Sequence, residues 1–74
     1  MMSEIDNSTR AVLAETALKA YAMAAENRPA YDVPEDMAAD LICDLLHFIR
    51  TTGADPTQKA RMAMTNFEAE ETEN

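Results

Sequence analysis

Residues 32–53, with the sequence DVPEDMAADLICDLLHFIRTTG, form the strongest helical pattern in the chain. Asp32 stands three residues before Glu35, which is the spacing of a capping box, and Pro34 is well tolerated in a first helical turn. Gly53 supplies the left-handed residue that commonly follows the C-terminus of a helix. We therefore expect a helix over residues 33–52.

This helix has a broad apolar face. Its apolar residues cover well over the roughly 100° arc that a surface helix buries, so the face can contact neighbours on two sides. In a chain of three helices, we expect one of those neighbours to be a second copy of the chain. The expected homodimer interface consists of Met37, Leu41, Ile42, Leu45, Phe48 and Ile49.

A helix over residues 8–27 is expected before it, starting near Ser3 or Ser8. Pro29 disfavours helical geometry at Arg28 and so closes this segment. At 100° per residue, seven residues form one stripe that is mostly alanine, and small side chains let another helix approach closely. The stripe consists of Ala11, Ala14, Ala17, Leu18, Tyr21, Ala22 and Ala25.

A third helix is expected over residues 56–69. The sequence Asp55-Pro56-Thr57-Gln58 places a cap, a proline at the first helical position and a glutamine at the third. Acidic residues then follow at the C-terminus, where they oppose the helix dipole, so we expect residues 70–74 to be a disordered tail. The apolar stripe of this helix is narrow and consists of Ala60, Ala63, Met64 and Phe67.

Together these segments predict an all-α fold, a single three-helix domain over residues 1–74 that forms a dimeric helical bundle. A chain of 74 residues has room for one domain. Its apolar residues are largely Ala and Met, and its one cysteine, Cys43, cannot form an internal disulfide. Small cores of this kind usually need a partner subunit or a metal.

The segment around the predicted central helix also carries most of the net negative charge. The chain has 14 acidic and six basic residues, and residues 31–57 contain six acids against one base. Three of these acids, Asp36, Asp40 and Asp44, are four residues apart and share one face, where like charges repel one another. A basic partner would relieve this repulsion, and the expected partner-binding residues are Asp32, Glu35, Asp36, Asp40 and Asp44.

Two other interpretations of this acidic face stay open. It can be a solvated surface that keeps the protein soluble, or Asp40, Asp44 and His47 can hold a divalent metal. Cys43 lies one helical turn from His47, and two copies of the chain could supply the four ligands of a zinc site. The simpler interpretation of Cys43 is a small, semi-buried side chain.

No arrangement of catalytic residues is evident. The chain offers no Ser–His–Asp pattern, and with its single glycine it cannot form a glycine-rich phosphate loop. The two C-terminal helices could suggest a helix-turn-helix, but the third helix carries only Lys59 and Arg61, and the net charge of −8 repels phosphate. We expect no enzymatic activity, no cofactor and no direct binding of nucleic acid.

The N-terminus has no basic start followed by an apolar run, so it does not resemble a signal peptide. The longest uninterrupted apolar stretch is also too short to span a membrane. We therefore expect a cytoplasmic protein that does not bind membranes.

Residues 36–66 resemble part of the MazG-type nucleotide pyrophosphohydrolases. In that family Glu-x-x-Asp begins an apolar helix, and a Gly-x-Asp turn leads to a further helix with a late Asn. Here Asp40 matches the Asp, residues 53–55 match the turn and Asn66 matches the Asn, while Met37 stands at the Glu position. The family's earlier motif, two Glu separated by two residues, is absent. The resemblance implies helical packing and, as an alternative function, a reduced Mg²⁺-dependent pyrophosphohydrolase that uses Asp40, Asp44 and His47.

In size, charge and helical content the chain is also similar to small inhibitor proteins of phages and mobile elements, such as anti-CRISPR proteins. This resemblance implies a non-enzymatic protein that covers the basic, nucleic-acid-binding surface of a partner. A purely structural dimerisation subunit is a further alternative. It predicts that Leu45→Ala, as a core truncation, costs roughly 2–5 kcal/mol.

Overall fold

The computed structural model describes residues 6–27 and 32–73, which form three α-helices and contain no strand. These helices are α1 (Asn7–Glu26), α2 (Pro34–Thr51) and α3 (Pro56–Glu73). The predicted all-α, three-helix fold is therefore confirmed. Contacts divide the chain into two compact units, a first unit (Met1–Ala38) and a second unit (Ala39–Asn74).

The N-terminus of α1 is capped by Asp6, which the sequence interpretation missed. The Asp6 carboxylate accepts the backbone N–H of Thr9 at 2.9 Å and the hydroxyl of Ser8 at 3.0 Å. These bonds, the Thr9 backbone bond most of all, hold the pKa of Asp6 below its ordinary value. The helix therefore begins one residue earlier than expected, while Ser3 lies outside the described residues.

The C-terminus of α1 falls where the sequence predicts it. The helix ends at Glu26, and Asn27 takes the left-handed conformation with φ 57°. The backbone N–H of Asn27 donates to the carbonyl of Met23 at 3.0 Å, which satisfies one of the last carbonyls of the helix.

In the first unit, burial is narrower than the alanine stripe predicts. The buried residues are Leu18 and Ala22 of α1 and Met37 of α2, and Tyr21 is half-buried. Beside α1, the described part of this unit contains only residues 32–38, which are too few to cover the whole stripe. The other four stripe residues are consequently exposed: Ala11, Ala14, Ala17 and Ala25.

The start of α2 corrects the predicted capping box. The helix begins at Pro34, and the carbonyl of Val33 accepts the backbone N–H of Met37 at 3.1 Å. Val33 therefore occupies the cap position, and Asp32 lies two residues before the first residue of the helix. Proline at the first helical position explains the shift, because its fixed φ suits that position and it needs no hydrogen-bond acceptor there.

The end of α2 is closed by two threonines and a glycine. The hydroxyls of Thr51 and Thr52 donate to the carbonyls of Phe48 and Ile49, at 2.6 Å and 2.7 Å. Gly53 adopts the predicted left-handed conformation, with φ 88°. Any residue with a Cβ would be strained at this φ, even though the space around the glycine is open.

The predicted cap of α3 is confirmed. Asp55 Oδ1 accepts the backbone N–H of Thr57 at 3.0 Å, and the Asp55 carbonyl accepts that of Lys59 at 3.1 Å. The helix begins at Pro56, as the sequence predicts.

The predicted disordered tail is wrong for residues 70–73, because α3 continues to Glu73. The hydroxyl of Thr72 donates to the carbonyl of Ala69 at 2.8 Å and so satisfies a carbonyl of the last turn. Glutamate is also a strong helix former, and repulsion between neighbouring glutamates costs only a few tenths of a kcal/mol per pair. Asn74 lies outside the described residues.

Candidate functional site

The second unit contains an open apolar groove of about 500 Å³ between α2 and α3. All but one of its lining residues are apolar, and the exception is Lys59. From α2 the groove is lined by Ile42, Leu45, Leu46 and Ile49, and from α3 by Lys59, Ala60, Ala63, Met64 and Phe67.

The side chains of the groove are in large part exposed to solvent. Ile42, Leu45, Met64 and Phe67 have exposed fractions between 48 % and 59 %. No residue from 39 to 72 is buried, so this helical pair has no enclosed core of its own. An isolated apolar side chain at a surface is ordinary, but a contiguous apolar face is typical of an interaction site.

The structure divides the predicted dimer interface into three parts. Ile42, Leu45 and Ile49 line the groove. Met37 is buried and belongs to the first unit, so it is not available to a second copy. The other two residues lie outside the groove lining: Leu41 is half-buried and Phe48 is exposed.

The contribution of α3 to this surface was not recognised from the sequence. In the sequence, Ala60, Ala63, Met64 and Phe67 form a narrow apolar stripe that was left out of the expected interface, yet all four residues line the groove. The spacing of the stripe was the available signal, because it continues over two full turns on one side of α3.

The predicted partner-binding carboxylates are all exposed. Asp32, Glu35 and Asp36 lie in the first unit, and Asp40 and Asp44 lie in the second. In the second unit, Asp40 and Asp44 are one turn apart on α2 and present two carboxylates on one side of that helix.

The alternative metal-ligating residues are not assembled into a site. Nowhere in residues 6–27 and 32–73 do three or more His, Cys, Asp or Glu side chains lie where they could hold one metal ion. Asp40, Asp44 and His47 are all exposed residues of one helix, spread over two turns. Cys43 is also exposed, which corrects the prediction of a semi-buried side chain.

The surface of α1 also carries exposed apolar side chains. Val12 and Leu13 are exposed, and as consecutive residues they point about 100° apart around the helix. Lys19 and Glu15 form an exposed ion pair at 3.9 Å, of a kind that adds little stability. The groove of the second unit is therefore the more specific candidate.

Within the described part of the chain, no helix combines the length and the apolar composition that crossing a membrane requires. Comparison with protein-family models, with curated proteins and with solved structures found no match. The surfaces of the two units are accordingly the basis for a functional proposal.

Proposed function

We propose that this chain is a non-enzymatic interaction protein that docks on the basic surface of a protein partner. In its sharpest form, it is an inhibitor that occupies a nucleic-acid-binding surface, as anti-CRISPR proteins of phages and mobile elements do. The observation that carries this proposal is the exposure of all five carboxylates between residues 32 and 44.

These carboxylates can compete with a phosphate backbone for the same cations. A nucleic-acid-binding groove attracts phosphates through Lys and Arg, and its affinity falls steeply as salt concentration rises. A helix that carries a carboxylate every four residues presents one negative charge per about 6 Å of its length. Such a helix attracts a basic groove by the same electrostatic force and with the same dependence on salt.

The acidic surface acts in a chain that we also propose to be a homodimer. Two copies would present two sets of carboxylates, and binding two sites on one partner raises avidity without any new contact. In this account the apolar groove serves assembly and the carboxylates serve recognition.

Neutralising the helix carboxylates tests the proposal. The wild-type protein and the variant Asp36→Asn/Asp40→Asn/Asp44→Asn are immobilised and used to capture nucleic-acid-binding proteins at low salt. We expect the wild type to retain partners that a competing oligonucleotide displaces, and the variant to lose them. A control with the same change in net charge, Glu15→Gln/Glu26→Gln/Glu71→Gln, should behave like the wild type.

Two results would contradict the proposal. One is equal capture of the same partners by the wild type and the Asp→Asn variant. The other is that neither salt nor the oligonucleotide displaces the proteins captured by the wild type. A partner bound through a basic groove must be sensitive to both.

A further inference from the structure

The groove of the second unit exposes enough apolar surface for a specific interface. Its four half-exposed side chains leave roughly 400 Å² in contact with water, since a large side chain presents about 200 Å². Two such faces, together with their rims, bury roughly 1,000 Å² when they meet, which is the lower limit of a specific interface. A second copy of this chain would supply the matching face.

The charges of α3 are arranged symmetrically along the helix. Lys59 and Glu70 lie at equal distances before and after the midpoint between residues 64 and 65, and so do Arg61 and Glu68. This midpoint lies within one residue of the centre of the apolar stripe 60–67. Both pairs of opposite charges are therefore centred on the same point of α3, and the apolar stripe is centred within one residue of it.

The members of each pair also share a flank of the helix. At 100° per residue, Lys59 and Glu70 lie about 20° apart around the axis, and Arg61 and Glu68 lie about 20° apart on the opposite flank. A two-fold axis perpendicular to α3 brings each flank against the same flank of the antiparallel helix. Such an axis near residue 64 brings each cation close to a carboxylate of the other copy.

We infer that two copies of the chain pack groove to groove, with α3 antiparallel to α3 of the partner subunit and the two-fold axis beside Met64 and Thr65. Ile42, Leu45, Met64 and Phe67 then form the apolar centre of the interface. Lys59 faces Glu70 of the partner subunit across one rim, and the ammonium of Lys59, which lies 3.9 Å from Met62 Sδ in the single chain, gains a carboxylate.

The charge pattern selects this arrangement over a parallel one. In a parallel pair, the end of α3 that carries Lys59 and Arg61 would lie against the same positively charged end of the other copy. The end that carries Glu68 and Glu70 would likewise lie against its negatively charged counterpart. In the antiparallel pair every one of these contacts is between opposite charges, and a two-fold interface is self-complementary in just this way. Two α2–α3 pairs joined by such an interface contribute four helices to one core.

This inference makes the proposed homodimer specific and replaces the interface predicted from α2 alone. Phe48, which belonged to that interface, is 62 % exposed and does not line the groove. The inference depends on the homodimer but not on a basic partner. Its tests change α2 apolar residues and α3 and leave Asp36, Asp40 and Asp44 intact, so the two proposals can fail separately.

Sedimentation velocity over a range of protein concentrations tests the interface. Ile42→Glu and Phe67→Glu each place a charge in the groove, and we expect the dimer dissociation constant to rise on the order of 100-fold. Both residues are more than half exposed, so the single chain should keep its helical circular dichroism. Phe48→Glu, at an exposed position outside the groove, serves as the matched control and should dimerise like the wild type.

Charge reversal tests the direction of the helices. Lys59→Glu/Arg61→Glu turns attraction into repulsion in the antiparallel pair, and we expect roughly tenfold weaker association at low salt. Adding Glu68→Lys/Glu70→Lys to the same chain should restore the wild-type dissociation constant.

Three outcomes would overturn the inference. If the wild type stays monomeric at all protein concentrations, a second copy of the chain does not occupy the groove. Loss of the dimer in Phe48→Glu but not in Phe67→Glu assigns the interface to α2 alone. A dimer whose dissociation constant is unchanged in Lys59→Glu/Arg61→Glu, or is not restored when Glu68→Lys/Glu70→Lys is added, contradicts the antiparallel arrangement.

Discussion

The two units of this chain treat their apolar residues in opposite ways. The first unit buries Leu18, Ala22 and Met37, which share a small core. The second unit has the more apolar helix segment, yet none of its described residues is buried, and α2 and α3 leave a groove open between them. A strongly amphipathic helix therefore does not by itself make a core, because a pair of helices cannot enclose the apolar face that they share.

The largest expected effect is the loss of stability when the core of the first unit is truncated. Leu18 is 8 % exposed, so Leu18→Ala should lower the free energy of unfolding by roughly 2–5 kcal/mol. Leu13, on the same helix, is 58 % exposed, and Leu13→Ala is the matched control with a much smaller expected effect. Urea denaturation followed by circular dichroism measures both, and similar losses for the two variants would mean that the first unit has no distinct core.

The second unit should respond differently, because we propose that its apolar face is covered by a second copy. Leu45 is about half exposed in the single chain, so the cost of 2–5 kcal/mol predicted for Leu45→Ala as a core truncation is too large there. We expect about 1 kcal/mol for the monomer and a larger loss where the dimer forms. Thermal unfolding at low and high protein concentration checks this expectation.

In that experiment, the difference in melting temperature between wild type and Leu45→Ala should grow with concentration. The difference for Leu18→Ala should stay constant, because its contacts lie within one chain. A concentration-independent effect of Leu45→Ala would indicate that the groove is not an interface.

The helix caps give a smaller contrast between the units. Asp55 caps α3 through its bond to the N–H of Thr57, so Asp55→Ala should cost about 1 kcal/mol. Asp32 lies two residues before the start of α2, and Asp32→Ala should cost only a few tenths of a kcal/mol through the helix dipole. Equal losses in chemical denaturation would restore the predicted capping box at Asp32 and contradict the cap at Val33.

The smallest expected effect concerns Asp6 and pH. Hydrogen bonds to Thr9 and Ser8 lower the pKa of Asp6 in the folded chain, so the ionised form favours the folded state. This contribution is complete above the unfolded pKa, near 3.9, and is lost as the pH falls through the lower folded pKa. A carboxyl titration by NMR should place the pKa of Asp6 below that of an unperturbed aspartate.

Asp6→Asn provides the control for this titration. Asparagine is also a good cap, so the variant should keep α1 at neutral pH and lose the part of the acid-dependent change that comes from residue 6. An Asp6 pKa at or above the ordinary value would contradict the capping geometry.

The sequence was sufficient to predict the elements that depend on local chemistry. Asp55-Pro56 marks the start of α3, and Gly53 marks the end of α2. Capping a helix and ending it each depend on the backbone of only a few residues. The cap at Asp6 was equally local, because an Asp just before a helical segment can accept the N–H three residues later, as Asp6 does from Thr9. The extension of α3 to Glu73 was missed because the dipole argument was given more weight than helix propensity.

The candidate surface was harder to predict because it depends on how elements combine. The apolar face of α2 was recognised as too broad for one neighbour, but the sequence could not assign its two sides. The structure places Met37 in the first unit and Ile42, Leu45 and Ile49 along the groove, where they meet residues of α3. A periodic stripe on α3 predicts a packing face, and only the structure shows that this face is left half open.

The antiparallel packing of the two α3 helices is tested most directly by the distance between spin labels in the dimer, measured by pulsed electron paramagnetic resonance. Labels are placed at Thr65→Cys or at Thr72→Cys, both on the Cys43→Ser background that removes the exposed native thiol. In the antiparallel dimer, residue 65 lies beside the two-fold axis and residue 72 lies about 11 Å from it along the helix. The antiparallel arrangement predicts that the distance between the two labels of a dimer is clearly longer for labels at residue 72 than for labels at residue 65. Equal distances at the two positions, or no dipolar coupling between copies, would contradict it.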